Sequence, residues 1–120
     1  MRLNLIPGAP VDATALSLQH EEVQPGSVAS GAPTTATHAL GSFADLALGV
    51  WEMSAGGMHD VEAEELFIVV AGRATVEIHD DDGGESVPVT LSPGTLMRLG
   101  AGMRTTWTVH ERLRKVYLSP

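Results

Sequence analysis

Cysteine is absent from these 120 residues, which excludes disulfide staples, thiolate metal sites and cysteine nucleophiles at once. Basic residues are scarce: seven Lys and Arg stand against fifteen Asp and Glu, a formal charge of -8 with a pI near 4.9. A surface of that sign repels phosphate, so nucleic acid is not a partner. No run of eighteen apolar residues occurs, and the apolar start before Pro7 is too short for a signal peptide. The expectation is a cytoplasmic protein with no membrane partner. Neither phosphate-loop fingerprint is present, nor a Gly-x-Ser-x-Gly elbow. What remains fits one domain, since a chain of this length hides roughly two thirds of its unfolded surface on folding.

Residues 1–42 and 43–120 differ in texture. The first stretch holds Pro7, Pro10, Pro25 and Pro33 among glycines, alanines, serines and threonines, so no long helix crosses it. This predicts an extended arm with edge strands, Val11 to Leu18 and Thr34 to Leu40 being the candidates. Its apolar residues Leu3, Leu5, Ile6, Leu16, Leu18 and Val23 need burial, and the body's strand edges need covering. Both needs point to a homodimer formed through the arm.

From Phe43 onward, short apolar runs are broken by turn chemistry every eight to twelve residues or so, the pattern of an antiparallel sandwich or barrel. The predicted strands are Phe43 to Met53, Glu65 to Val70, Arg73 to His79, Ser86 to Leu91, Leu96 to Leu99, Thr105 to His110 and Leu113 to Leu118. Turns are expected at Ser54 to Gly57, Ala71-Gly72, Asp80 to Gly84, Ser92 to Gly94 and Gly100 to Gly102. Ala74, Val76 and Ile78 alternate with Arg73, Thr75, Glu77 and His79, so one face there is buried. Asp80 to Asp82 reads as a solvated acidic turn rather than a calcium loop, because no EF-hand spacing follows.

The stretch Gly57-Met58-His59-Asp60-Val61-Glu62-Ala63-Glu64-Glu65 through Gly72 resembles the first motif of the cupin superfamily. That motif has a Gly, a His-x-His pair, a Glu three or four residues later and a Gly after six more. Counting back from Glu65 puts the pair on His59 and Val61. Gly94 through Thr105 resembles the second motif, with Gly100 at its Pro and Thr105 at its His. Gly49-Val50-Trp51-Glu52, Trp107-Thr108-Val109-His110-Glu111 and Arg114-Lys115-Val116-Tyr117 resemble small single-domain cupins related to ureidoglycine aminohydrolase and to ethanolamine-utilisation proteins. The resemblance implies an all-β, double-stranded β-helix (a jelly-roll, RmlC-like cupin barrel) over residues 43–120, with the arm at 1–42.

Strand alternation would turn His59, Val61, Ala63 and Glu65 inward and Asp60, Glu62 and Glu64 outward. A metal-binding cupin, the resemblance implies, holds Mn, Fe, Ni or Zn with three His and one Glu. Here Val61 has no lone pair to give and Thr105 offers a neutral hydroxyl. Three readings of His59 and Glu65 stand: a metal site completed by water, substrate or another histidine such as His38; a metal-free acid and base pair; and a vestige of the motif. A buried Glu65 needs a partner, for which His59, Arg98, Tyr117 or a water are the candidates. Thr105 and Trp107 share the inward face, Trp51 approaches from the preceding strand, and Arg98, if turned inward, suits a carboxylate-bearing ligand. The functional expectation is a small-molecule-binding protein with a metal-poor pocket and no cofactor. The alternative is a metal-dependent enzyme acting on a small nitrogenous or carboxylated metabolite.

Overall fold

Nine strands carry the architecture of the computed structural model, which describes residues 5–80 and 86–120. In chain order they are β1 (Glu21–Glu22), β2 (Val28–Ser30), β3 (Thr34–Phe43), β4 (Leu46–Met53), β5 (Gly56–Val61), β6 (Glu65–His79), β7 (Val87–Leu91), β8 (Leu96–Leu99) and β9 (Arg104–Ser119). A short 3-10 turn, Pro25–Ser27, precedes β2, and all pairing between strands is antiparallel. The fold is the expected jelly-roll barrel.

Two long strands form its spine. β6 and β9 pair from Leu66↔Leu118 to His79↔Arg104, and both bend from one wall of the barrel to the other. On the far edge of β9, β4 pairs with residues 113–119 and β5 with residues 104–109. On the far edge of β6, β8 pairs with its first residues and β7 with its last. The bend in β6 is made by register shifts between Val69 and Ala74, where Gly72 adopts φ +89°. Extra residues at such bulges kink a strand without ending it. Ala71-Gly72, expected as a turn between two strands, is therefore a corner within one, and β9 likewise runs unbroken through His110 to Arg112.

Other boundaries move for local reasons. The predicted strand Phe43 to Met53 is interrupted by a reversal at Ala44 and Asp45, both at positive φ (50° and 64°), with Phe43 paired to Leu46. Two successive positive φ values suit the primed hairpin turns whose twist matches the strands they join. No glycine marks the reversal. Gly56 and Gly57, expected in a turn, instead begin β5. There Gly57 lies against Ser30, so close that a Cβ would overlap its hydroxyl. Val11 to Leu18 forms no strand, Thr34 to Leu40 lies within β3, and the arm before it contributes β1 and β2. Most of the acidic turn expected at Asp80 to Gly84 lies outside the described residues, as does Leu3.

Facing walls supply the core. Met53, Phe67, Val69, Ala74, Val76, Leu91, Leu99, Trp107 and Leu113 are buried between them. Alternation at Ala74, Val76 and Ile78 holds, with the first two fully buried and Ile78 half-buried. The arm packs on the outside of the β3–β4–β9 wall. There β1 pairs with β3, Leu5 N–H donates to the Leu40 carbonyl, and Val50 is fully buried although it points away from the interior. Among the arm's apolar residues Leu16, Leu18 and Val23 are half-buried, while Leu5 and Ile6 stay exposed.

Candidate functional site

The barrel interior gathers polar groups at one end of an otherwise apolar core, and their places follow from strand register. Trp51 pairs with Lys115, Val69 with Lys115, Phe67 with Tyr117, Met58 with Trp107 and Asp60 with Thr105. Residues directly opposite one another share a face, so all of these look inward. Lys115 is the only lysine in the chain, and its side chain is 5% exposed. Its Nζ donates to Glu65 Oε2 at 2.6 Å. The same ammonium stands 4.6, 4.5 and 4.8 Å from the ring centroids of Trp51, Phe67 and Trp107. At these distances the negative faces of the rings attract the cation. Trp107 packs 5.8 Å from Trp51 and 6.0 Å from Phe67, both tilted, which closes the cage.

A second carboxylate completes the wall. Glu62 Oε2 accepts from Thr105 Oγ1 at 2.6 Å and from Trp107 Nε1 at 2.9 Å. Its backbone is clamped by Glu62 N–H to the Met103 carbonyl and Gly102 N–H to the Glu62 carbonyl, both 2.8 Å. Tyr117 lies across Gly49, where a Cβ would overlap the phenol, so glycine at that position makes room for the ring. Burial, and then the charge of Glu65, push the Tyr117 hydroxyl above its usual range, and it stays neutral.

Asp60 stands at the mouth. Burial first, and then the neighbouring Glu62, raise its carboxyl above the ordinary aspartate range, although the Val61 N–H donated to Oδ1 works the other way. Folded Asp60 therefore binds its proton more tightly than unfolded Asp60. Stability falls as pH rises through its titration and regains that loss in acid, where both states are protonated. Asp60→Asn is expected to raise the melting temperature at pH 7 and to leave it unchanged near pH 3. Asp60 reaches solvent, so the gain stays under about 1 kcal/mol. Thermal denaturation at the two pH values checks this.

Five sequence-predicted residues meet in this interior: Trp51, Glu65, Thr105, Trp107 and Tyr117. His59 and Arg98 do not. His59 is exposed on the outer face, its Nδ1 2.9 Å from Thr106 Oγ1, and Val61 beside it is 66% exposed. The inward residues of β5 are Met58 and Asp60, which corrects the expected register by one residue. The reason is local: β5 ends at Val61, and residues 62–64 cross to β6 without strand geometry, so alternation cannot be counted from Glu65 back to His59. A four-residue gap in the first motif would have placed the pair correctly. Arg98 points away from the barrel interior and donates to Glu64 Oε1 at 2.6 Å; it lines a separate, outer hollow with Glu64, Glu65 and Leu118. His38 pairs with Val50 on the side away from Trp51, and the partner of Glu65 is Lys115 rather than His59, Arg98 or Tyr117. Lys115 and Glu62 were missed as site residues. The signal for Lys115 was its two-residue spacing from Tyr117.

The four positions that would ligate a metal are thus Met58, Asp60, Glu65 and Thr105. They offer a thioether, two carboxylates and a hydroxyl, with Glu65 already neutralised by Lys115 and Thr105 turned to Glu62. This set does not fit an ion that needs three imidazoles and a carboxylate. Among the described residues no group of three or more His, Asp or Glu is placed to hold a metal ion.

No curated protein matches this chain. Solved structures share its fold. A protein of unknown function from Pseudomonas syringae pv. tomato is 24% identical with a TM-score of 0.68, over 90% of this chain and 46% of that one. The EutQ protein of Clostridium difficile is 21% identical with a TM-score of 0.57, over 72% of this chain and 61% of that one. A cupin superfamily protein of Desulfitobacterium hafniense is 14% identical with a TM-score of 0.63, over 99% and 97%. The chain spans less than two thirds of the length of the first two. Residues 41–117 match the model of the EutQ-like cupin domain, and the chain belongs to that family.

Proposed function

We propose that this chain is a small-molecule-binding cupin that works without a metal and takes a nitrogenous ligand at the mouth of its barrel. One observation carries the reading: Glu65, one of the four positions that would ligate a metal, is bonded to the chain's own Lys115 ammonium, which three aromatic rings enclose. A divalent cation brought there would meet a fixed positive charge. The choice of ligand follows from the balance of charge. Inside the barrel Asp60, Glu62 and Glu65 outnumber the ammonium of Lys115, and Arg98, the residue suited to a carboxylate, lies outside, while Arg104 lines the outer hollow beside Asp60. A ligand rich in N–H groups satisfies such a site, whereas a carboxylated one is repelled.

Elemental analysis of tag-free protein is expected to find well under one transition metal ion per chain. Thermal-shift measurements are expected to show stabilisation by small amines, ureas or amides and none by small carboxylates, with a gain of about 2.7 kcal/mol at a hundredfold excess over Kd. Stoichiometric Mn, Fe, Ni or Zn that is lost in Glu65→Gln would overturn the reading. The alternative is an enzyme acting on a nitrogenous metabolite, as the likeness to ureidoglycine aminohydrolase suggests. It draws support from Asp60, whose carboxyl is raised above its ordinary range at the mouth of the barrel, where it is placed to exchange a proton with a bound molecule. A second copy of the chain is the partner we propose for the arm, on which Leu5 and Ile6 lie exposed.

A further inference from the structure

A second polar constellation lies outside the barrel, where the arm crosses β3 and β4. Glu52 is buried on the outer face of its strand. Its Oε1 accepts from Arg114 Nε at 3.0 Å, and its Oε2 lies 2.6 Å from His20 Nε2. The other ring nitrogen, His20 Nδ1, lies 2.8 Å from Thr34 Oγ1. Burial alone would raise the Glu52 carboxyl, but the bonds from His20 and Arg114 outweigh it and hold the group below its ordinary range. Glu52 is therefore an anion, and the proton between it and His20 belongs on Nε2. With the ring neutral, Nδ1 carries the lone pair and faces the Thr34 hydroxyl, which also lies 3.0 Å from Ser54 Oγ.

A hydroxyl, an imidazole and a buried carboxylate in hydrogen-bonded series are the parts of an activated oxygen nucleophile. Two further features suit this one to act. Thr34 is held in place by its N–H to Ser54 Oγ at 2.8 Å. It also lines a hollow of about 390 Å³ whose other walls include Val23, Pro25, Val28 and Pro33. We propose that Thr34 accepts acyl groups from small, uncharged, apolar esters bound in this hollow. Glu22 at its rim disfavours anionic ones.

In the first step Thr34 Oγ1 bonds to the acyl carbon, its proton passes to His20 Nδ1, and the bond to the leaving oxygen breaks. The imidazolium, stabilised by Glu52, returns that proton to the leaving alcohol. Water then attacks the acyl-threonine with His20 again taking the proton. The products are a carboxylic acid and the restored hydroxyl, so ester plus water gives acid plus alcohol.

The test incubates the full chain with p-nitrophenyl acetate and p-nitrophenyl butyrate and maps the acylated peptide by mass spectrometry. One acyl group per chain is expected on Thr34, absent in Thr34→Val and restored in Thr34→Ser. His20→Ala is expected to slow p-nitrophenol release about a hundredfold. His20→Gln, which keeps polar atoms toward both Glu52 and Thr34, is expected to show the same loss with the fold intact by circular dichroism. Acylation of Ser54 or Lys115 instead of Thr34, or equal rates in wild type and Thr34→Val, would overturn the proposal.

Discussion

Glu65→Ala is expected to cost about 3–5 kcal/mol of folding stability, and the double variant Glu65→Leu/Lys115→Met to recover most of it. The single change strands the ammonium of Lys115, whose side chain is 5% exposed and which is hydrogen-bonded to Glu65 at 2.6 Å. The rings of Trp51, Phe67 and Trp107 soften the loss, because cation–π attraction in a dry site contributes about 2 kcal/mol, but they cannot replace a carboxylate. The double change removes both charges and fills the cage with a thioether, which packs well against aromatic edges. Chemical denaturation of wild type, Glu65→Leu, Lys115→Met and the double variant isolates the coupling between the two residues. A Glu65→Ala variant as stable as wild type would mean that water reaches Nζ freely, and the proposal of an ammonium that keeps Glu65 from a metal would lose its footing. If ligand binding resides here, it should vanish in the stable double variant, which separates loss of function from loss of fold.

Gly72→Ala is expected to be more damaging still, preventing accumulation of folded protein. Gly72 has φ +89°, and a Cβ there would overlap the carbonyl of Arg112 on the neighbouring strand. The obstacle is backbone rather than a rotatable side chain, so relief requires β6 and β9 to part at the corner where both turn from one wall to the other. Losses above about 4 kcal/mol have few causes, and strain at a special φ combined with overpacking is among them. Gly102, also at positive φ but with open space around it, is the control. Gly102→Ala should cost about 1 kcal/mol, the conformational penalty without the clash. Expression yield and circular dichroism of the two variants make the comparison.

The fold was legible because its carriers are periodic: apolar alternation in β6, β7 and β9 and glycine at most reversals are written in the residues themselves. The corner at Gly72 was read as a turn, since a bulge and a turn both call for glycine, and only the partner strand tells them apart. The reversal at Ala44-Asp45 carried no signal of that kind. For the site, alternation placed Thr105 and Trp107 correctly within one unbroken strand and failed between His59 and Glu65, where the strand stops for residues 62–64. Lys115 is the instructive omission. Charge argues for the surface by default, and what overrides it here is a carboxylate and three rings supplied by β4, β6 and β9 together, a convergence that no local window of sequence displays.

The shared spine has a kinetic consequence. Because β6 and β9 each belong to both walls, neither wall can open while the other stays closed. Amide hydrogens along residues 66–79 and 104–118 should exchange with solvent only through global unfolding, all at one rate, whereas those of β1 and β2 in the arm exchange earlier. Folding must wait for the pairing of two segments far apart in the chain, which places it among slow, milliseconds-to-seconds β folders of about this size. During that wait the apolar faces of β6 have no partner. Refolding yield should therefore fall as protein concentration rises, even though the native barrel itself keeps its spine covered on both edges.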